Sequence, residues 1–385
     1  MKVLVLTRSM GEGHNRAAKA IGEAFTANGH DCQVSDALSI ANAGQSSVAD
    51  DTSHGLNKHL HDVASGLYGW TALRAPFLFG AVYKLGEVYT RTPVPSPIYV
   101  ASARLAEQTY KFIEEHEYDA VVAPHLFPQE TLNAIRKHHK TRARHFAVLT
   151  DYTCIPFFSE AKVDGYCIPH ADLLKECRSH GIPLGHTTVT GLPVAAAFQT
   201  PPSQASAREM LGLPQDRPLF LVMSGGVGST RLSELCARLL TAGGEDMHVA
   251  VLTGRSEGLF LQIADRYQSD PRVTVVPFTE RVPDYMAAAD VMLSKPGGVS
   301  STEAAVMGLP LVHTATIPGN ETKNARFFSR HGMSLYAPRI EDAVQAAHKL
   351  INDEACQRRM QDDQRSNTMP DSAQRVVTQV EAVVG

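Results

Sequence analysis

Cys-x-x-Cys pairs, Asp-x-Asp motifs, long apolar runs and a strong net charge are all missing from this 385-residue chain, and each absence excludes something. The six cysteines (Cys32, Cys154, Cys167, Cys177, Cys236 and Cys356) are scattered without zinc-ligand spacing, which points to a reduced, cytoplasmic chain and not to a disulfide framework. No run approaches the roughly 18 apolar residues that span a bilayer, and the apolar run Val3–Leu6 is too short for a signal-peptide core. Membrane contact, if it occurs, is expected to be peripheral. Lysine plus arginine total 36 against 40 aspartate plus glutamate, a formal charge of -4 and too little to attract nucleic acid by bulk electrostatics. Low-complexity tracts are absent too. With 43% apolar and 20% charged residues, the composition is that of a globular protein long enough for two or three domains.

What is present is a repeated α/β pattern. Val3–Leu6 ends in a glycine-bearing loop, and Ala17, Ala18, Ile21, Ala24 and Phe25 then recur at helical spacing across 14–27. Short apolar runs at 120–123 and 146–149 continue the pattern of a parallel sheet with crossover helices. The stretch 191–206, GLPVAAAFQTPPSQAS, is poor in charge and broken by Pro193, Pro201 and Pro202, as an interdomain linker would be. After it the pattern restarts with strand candidates at 219–223, 249–252, 273–276, 291–293 and 309–312. The expectation is an α/β chain of two Rossmann-like domains facing a cleft, 1–195 and 196–369, with a closing helix in 370–385 that packs back on the first.

Each half opens with a glycine loop. In Met10-Gly-Glu-Gly-His14 the glycines let backbone amides approach a ligand at a helix N-terminus, but Arg16 stands where a dinucleotide fingerprint has its third glycine. His14 is either a general base or a helix-terminal histidine bonded to a nearby carbonyl. Ser224-Gly-Gly-Val-Gly-Ser229 offers a denser array of donors, suited to a diphosphate or to a tight strand-to-helix turn. Lacking Asp-x-Asp, the chain has no obvious metal site and would stabilise a leaving diphosphate with helix dipoles and side chains. Lys295-Pro-Gly-Gly298 leads into a helix carrying Glu303, which either accepts both hydroxyls of a ribose or is a solvated helix charge. Asn320 and Glu321, after a second Pro-Gly turn, are candidates to read sugar hydroxyls.

These motifs carry a family resemblance. Gly11-x-Gly13-His14-x-x-Ala17-Ala18, Thr150-Asp151, Gly191-Leu-Pro-Val194, Ser224-Gly-Gly226, Pro277-Phe278, Lys295-Pro-Gly-Gly298, Glu303-Ala304, Gly308-Leu-Pro310 and Pro318-Gly319-x-Glu321-x-x-Asn324 stand in the order of one group. The chain resembles the monogalactosyldiacylglycerol synthase and processive diacylglycerol glucosyltransferase family, which is related to the peptidoglycan GlcNAc transferase. The resemblance implies a GT-B fold and an inverting, metal-independent transfer of glucose or galactose from a UDP-sugar, with no other cofactor, to diacylglycerol or a related lipid. It implies that Glu303 holds the ribose, the main chain around Phe278 and Thr279 the uracil, Ser224, Gly225 and Gly226 the diphosphate, and Asn320 with Glu321 the sugar. Lys295, Gly297 and Gly298 fall in the same donor-side motif. His14 would activate or orient the acceptor hydroxyl, with Asp151, at a matching acceptor-side position, as the second catalytic candidate and Gly11, Gly13, His125 and Trp70 as acceptor-binding candidates. The chain departs from the group at Glu12, at Asn320, which stands where glutamine is usual, and after Asp151, where it lacks the His and Trp of plant-type members. The alternatives are a GlcNAc or other hexosyl transferase for an undecaprenyl-linked or soluble acceptor, and a non-catalytic UDP-sugar sensor.

The acceptor side has its own signal. Residues 67–89 gather the single tryptophan, Trp70, with Phe77, Phe79, Tyr83 and Tyr89, as an interfacial segment or a core helix pair would. Arg136, Lys137, Lys140, Arg142 and Arg144 form a basic cluster, either for an anionic membrane surface or as a basic helix C-terminus before a strand. The expected location is the cytoplasmic face of the cell membrane, held peripherally.

Overall fold

The computed structural model describes residues 1–8, 12–45, 96–223, 230–316 and 318–385. Met1–Ala195 and Asp371–Gly385, with a short stretch ending at Asn320, form one compact unit, while Ala196–Thr316 and Glu321–Pro370 form another. Among the described residues each holds a parallel sheet of six strands.

In the first unit the strands are β1 (Lys2–Thr7), β2 (Asp31–Asp36), β3 (Ala120–Ala123), β4 (Arg144–Val148), β5 (Gly165–Ile168) and β6 (Thr187–Val189), in the order β2-β1-β3-β4-β5-β6. Successive residues of a strand face opposite sides, and β1 is apolar on both. Val3 and Val5 pack with Ala18, Ile21 and Phe25 of the helix Glu12–Ala27 and with Val376, Val377 and Val380 of the closing helix Ser372–Val384. Leu4 and Leu6 pack on the other side with Ile113, Leu132 and Ile135. Burying each such side chain contributes about 1.5–3 kcal/mol, so both faces of β1 must be covered for it to be an interior strand. The helix Glu12–Ala27 comes close to β2 at Gly22, where a Cβ would lie 2.5 Å from Val34 Cγ2.

In the second unit β7 (Leu219–Met223), β8 (His248–Leu252), β9 (Val273–Val276), β10 (Val291–Ser294), β11 (Leu311–His313) and β12 (Leu335–Tyr336) run in the order β12-β11-β10-β7-β8-β9. Phe220 and Val222 pack against Leu232, Leu235 and Leu239 of the helix Thr230–Gly243 and against Ala343 and Ala347 of the helix Ile340–Asn352.

The strand orders fix where ligands go. In an open parallel sheet a crevice forms at the carboxyl ends of neighbouring strands whose connections leave in opposite directions. Among the described strands of the first unit this point lies between β1 and β3, and in the second between β7 and β10.

Candidate functional site

The helix Glu12–Ala27 is the next element after β1, with Gly13 and His14 in its first turn at the switch point. The chain leaving β3 runs through Pro124 to His125, the N-cap of the helix Leu126–His138. The two histidine rings meet edge to face with centroids 4.4 Å apart. His14 Nδ1 lies 3.2 Å from the Pro124 carbonyl and 2.9 Å from the Thr150 hydroxyl, which itself donates to the same carbonyl at 3.4 Å. A carbonyl only accepts, so Nδ1 carries the proton and Nε2 holds the lone pair. Burial pushes the His14 pKa down to about 4, against the raising effect of the Pro124 bond, and the positive helix N-terminus disfavours imidazolium further. The ring is neutral near pH 7, in the tautomer a proton acceptor needs. His125 has the opposite polarity: its Nδ1 accepts from the Phe127 amide at 3.2 Å, so the proton sits on Nε2.

Asp151 follows Thr150 beyond β4, and its Oδ2 accepts from Asn320 Nδ2 at 3.0 Å, with both residues in the first unit. Arg8, directly after β1, is a charged residue only 8% exposed. Burial pulls its pKa down and the neighbouring Asp36 raises it.

In the second unit the turn after β10 contains Gly297, the N-cap of the helix Gly298–Val306. Glu303 on that helix is 1% exposed, so the reading of it as a solvated helix charge is wrong. A buried carboxylate is costly unless hydrogen bonds satisfy it, which makes Glu303 an acidic candidate for binding a hydroxyl-bearing ligand at this switch point. The helix is pinned from below: His313, at the end of β11, is bonded by Ser301 at 2.8 Å and Ser334 at 3.0 Å, and burial drives its pKa down to about 3. His313 had no sequence signal beyond its place after Leu311 and Val312.

Lys295 Nζ donates to Glu321 Oε1 at 2.7 Å, joining two of the donor-side candidates into one ion pair. Asn324 Nδ2 donates to the Pro296 carbonyl at 3.1 Å, which ties the helix Asn320–Arg330 to the turn after β10. Phe278 is 42% exposed beyond β9, and the Thr279 hydroxyl accepts from the Arg281 amide at 3.0 Å. Gly11, Trp70, Ser224, Gly225 and Gly226 lie outside the described residues, as does the aromatic segment 67–89.

The basic cluster is partly engaged. Arg136 and Arg144 both pair with Asp164, at 2.9 and 3.3 Å, and Arg142 pairs with Asp119 at 3.0 Å. Lys137 Nζ stands 4.0 Å above the Tyr99 ring. Arg136, Lys137 and His138 form the last turn of their helix, so the basic C-terminus anticipated as one alternative is what the local fold contains. The arginine side chains remain about half exposed or more, and pairs of that kind are worth about 0–1 kcal/mol, so the positive potential is reduced without being removed.

Among the described residues, no helix is long and apolar enough to cross a membrane.

Comparison with known proteins agrees with both sheets. The monogalactosyldiacylglycerol (MGDG) synthase family matches residues 14–194, and the glycosyltransferase family 28 C-terminal domain matches residues 219–376. The chain is similar to processive diacylglycerol beta-glucosyltransferases of Bacillus pumilus, 23% identical over 98% of this chain and 94% of the relative, and of Bacillus subtilis, 24% identical over 93% and 89%. Among solved structures, Acinetobacter baumannii MurG superposes with a TM-score of 0.59 at 16% identity, covering 99% of each chain. A UDP-GlcNAc 2-epimerase from Neisseria meningitidis bound to UDP-GlcNAc gives 0.60 at 13% identity, covering 99% of this chain and 100% of that one. With one domain family over each of its two Rossmann-like halves, the chain belongs to the monogalactosyldiacylglycerol synthase and family 28 glycosyltransferase group, and it is a glycosyltransferase of GT-B fold.

Proposed function

We propose that the chain transfers glucose or galactose, with inversion, from a UDP-sugar to the hydroxyl of diacylglycerol or a closely related lipid at a membrane surface. The observation that carries the reading is His14, held neutral at a switch point with its lone pair on Nε2. In the proposed step Nε2 takes the acceptor proton as the oxygen attacks the anomeric carbon, and the bond to the diphosphate breaks with its electron pair leaving on UDP. A base of pKa about 4 cannot ionise an alcohol beforehand, so the proton moves as the new bond forms. His125 and Asp151 orient the acceptor, with Gly11 and Gly13 giving it room and Trp70 meeting the lipid.

On the donor side Glu303 accepts from the ribose hydroxyls, and the main chain at Phe278 and Thr279 takes the uracil. Ser224, Gly225 and Gly226 take the diphosphate, and Lys295, Gly297 and Gly298 complete the donor-binding set. Asn320 and Glu321 read the sugar. No Asp-x-Asp is available for a metal, so helix N-termini and side chains carry the leaving-group charge. Support for the acceptor class comes from the MGDG synthase match and from the named activity of the Bacillus relatives.

The test is to incubate the purified chain with UDP-glucose, UDP-galactose or UDP-GlcNAc and diacylglycerol vesicles, with and without EDTA, and to analyse the lipids by mass spectrometry. A hexosyl-diacylglycerol formed equally well in chelator is the expected result. No glycolipid from any of these donors contradicts the proposal.

A further inference from the structure

Phe278 stands out as a large apolar ring left half open at the end of a strand, and it is covered on one side by a cation. The Arg255 guanidinium carbon lies 3.8 Å from the ring centroid. Both residues sit at the carboxyl edge of the second unit's sheet, Arg255 after β8 and Phe278 after β9. The stack is built from both directions. The Thr253 amide and hydroxyl both donate to the Val276 carbonyl, at 3.0 and 3.1 Å, which clips the loop after β8 to the end of β9. Gly254, with a φ of 65°, turns the chain through a left-handed position, and Ser256 then caps the next helix by accepting from the Leu259 amide. On the other strand, the Thr279 hydroxyl holds the Arg281 amide. Two independent turns therefore order the backbone on either side of the pair, and the cation–π contact holds the guanidinium over the ring.

We propose that Arg255, positioned by Phe278, reads the nucleobase of the donor and selects uracil over cytosine. This rests on the UDP-sugar reading above, which puts the main chain at Phe278 and Thr279 beside the base. A guanidinium has five N–H donors and no acceptor, so it pairs with a carbonyl oxygen and not with an amino group. Uracil presents the O4 acceptor where cytosine carries an amino donor, while O2 is common to both, so the contact proposed is from the Arg255 fork to O4. There the wrong base leaves a donor facing a donor. Arg255 is exposed, so its replacement leaves the core untouched.

The experiment is calorimetric titration of the full chain with UDP and with CDP, for the wild type, Arg255→Met, Phe278→Leu and Glu303→Gln. The wild type is expected to prefer UDP by about tenfold or more, and Arg255→Met to bring that ratio within about threefold, mainly by losing UDP affinity. Phe278→Leu, which removes the platform, should narrow the ratio in the same direction. Glu303→Gln should weaken both nucleotides alike and keep the ratio. An unchanged ratio in Arg255→Met overturns the inference, and equal loss of both nucleotides there assigns Arg255 to the diphosphate instead. A wild type that binds neither nucleotide overturns the donor reading itself, which separates that failure from the failure of Arg255 alone.

Discussion

The two units are built alike and equipped differently. Among the described residues each places its first strand inside a parallel sheet of six and opens a switch point beside it, yet one switch point collects imidazoles and the other a carboxylate and an ion pair. In the first unit the main chain takes part in aiming the imidazoles: the Pro124 carbonyl together with the Thr150 hydroxyl for His14, and the Phe127 amide for His125. In the second the polar groups are aimed by side chains and helix packing, with Lys295 on Glu321 and His313 under the helix that carries Glu303. Topology specifies where chemistry is done, and the loops specify which chemistry.

The sharpest way to break this division of labour is to remove one part from each side. His14→Ala should lower kcat by about 10² to 10⁴ while UDP affinity survives, as steady-state kinetics and calorimetry would show. Near-normal turnover would make His14 a structural residue. Glu303→Gln should do the reverse, costing UDP affinity about 10- to 150-fold, the equivalent of roughly 1.5 to 3 kcal/mol for a hydrogen bond to a charged group. Equal affinity for UDP would remove Glu303 from the donor site.

Acid should also separate the units. Burial depresses His14 and His145 to about 4 in the first unit, and His248 to about 4 and His313 to about 3 in the second. A histidine with a depressed folded pKa stabilises the fold above its unfolded value, and that stability drains away as pH falls through the window from about 6.5 to 4. In the first unit Glu130 acts against this. Burial raises its carboxyl to about 8, so it holds a proton that unfolding releases, and its contribution grows as pH falls from about 8 to the unfolded carboxylate range. The first unit then takes up roughly one net proton on unfolding near pH 5.5 and the second roughly two. Hydrogen exchange between pH 7 and about 5, corrected for intrinsic rates, is expected to show the second unit losing more protection. Equal losses would mean that these buried groups do not control acid stability.

The smallest expected effect concerns the membrane. Three of the five clustered basic residues are paired with Asp119 or Asp164, so their pull on anionic lipid is reduced. Co-sedimentation with anionic vesicles should weaken in high salt, as the Debye length falls from about 10 Å at 0.1 M to 3 Å at 1 M. It should weaken modestly when Arg142 and Arg144 become serine. Salt-independent binding would shift the anchoring to apolar insertion.

Much of this was legible in the chain because the central strands are buried on both faces and so read as unbroken apolar runs, Val3–Leu6 and Leu219–Met223 among them. β2 was not legible: Asp31–Asp36 is an edge strand, largely open to water, and its sequence DCQVSD has no apolar pattern to find. β6 and β12, of three and two residues, are too short to carry a period. At the site, glycine turns and the residues just past strand ends marked His14, Lys295 and Glu303. Arg255 and His313 were hidden because their roles come from neighbours far along the chain, Phe278 for the one, Ser301 and Ser334 for the other. Sequence also left Glu303 open as a surface charge, since the face a short helix buries is set by packing and not by its own pattern.

The claim that the two units divide the work is tested most directly by titrating His14→Ala with UDP in a calorimeter, on protein whose transfer activity has been measured in the same buffer. The account predicts a UDP dissociation constant within about twofold of wild type alongside a turnover lowered by at least about a hundredfold. A variant that loses UDP binding together with turnover would place His14 in the donor site and contradict the account.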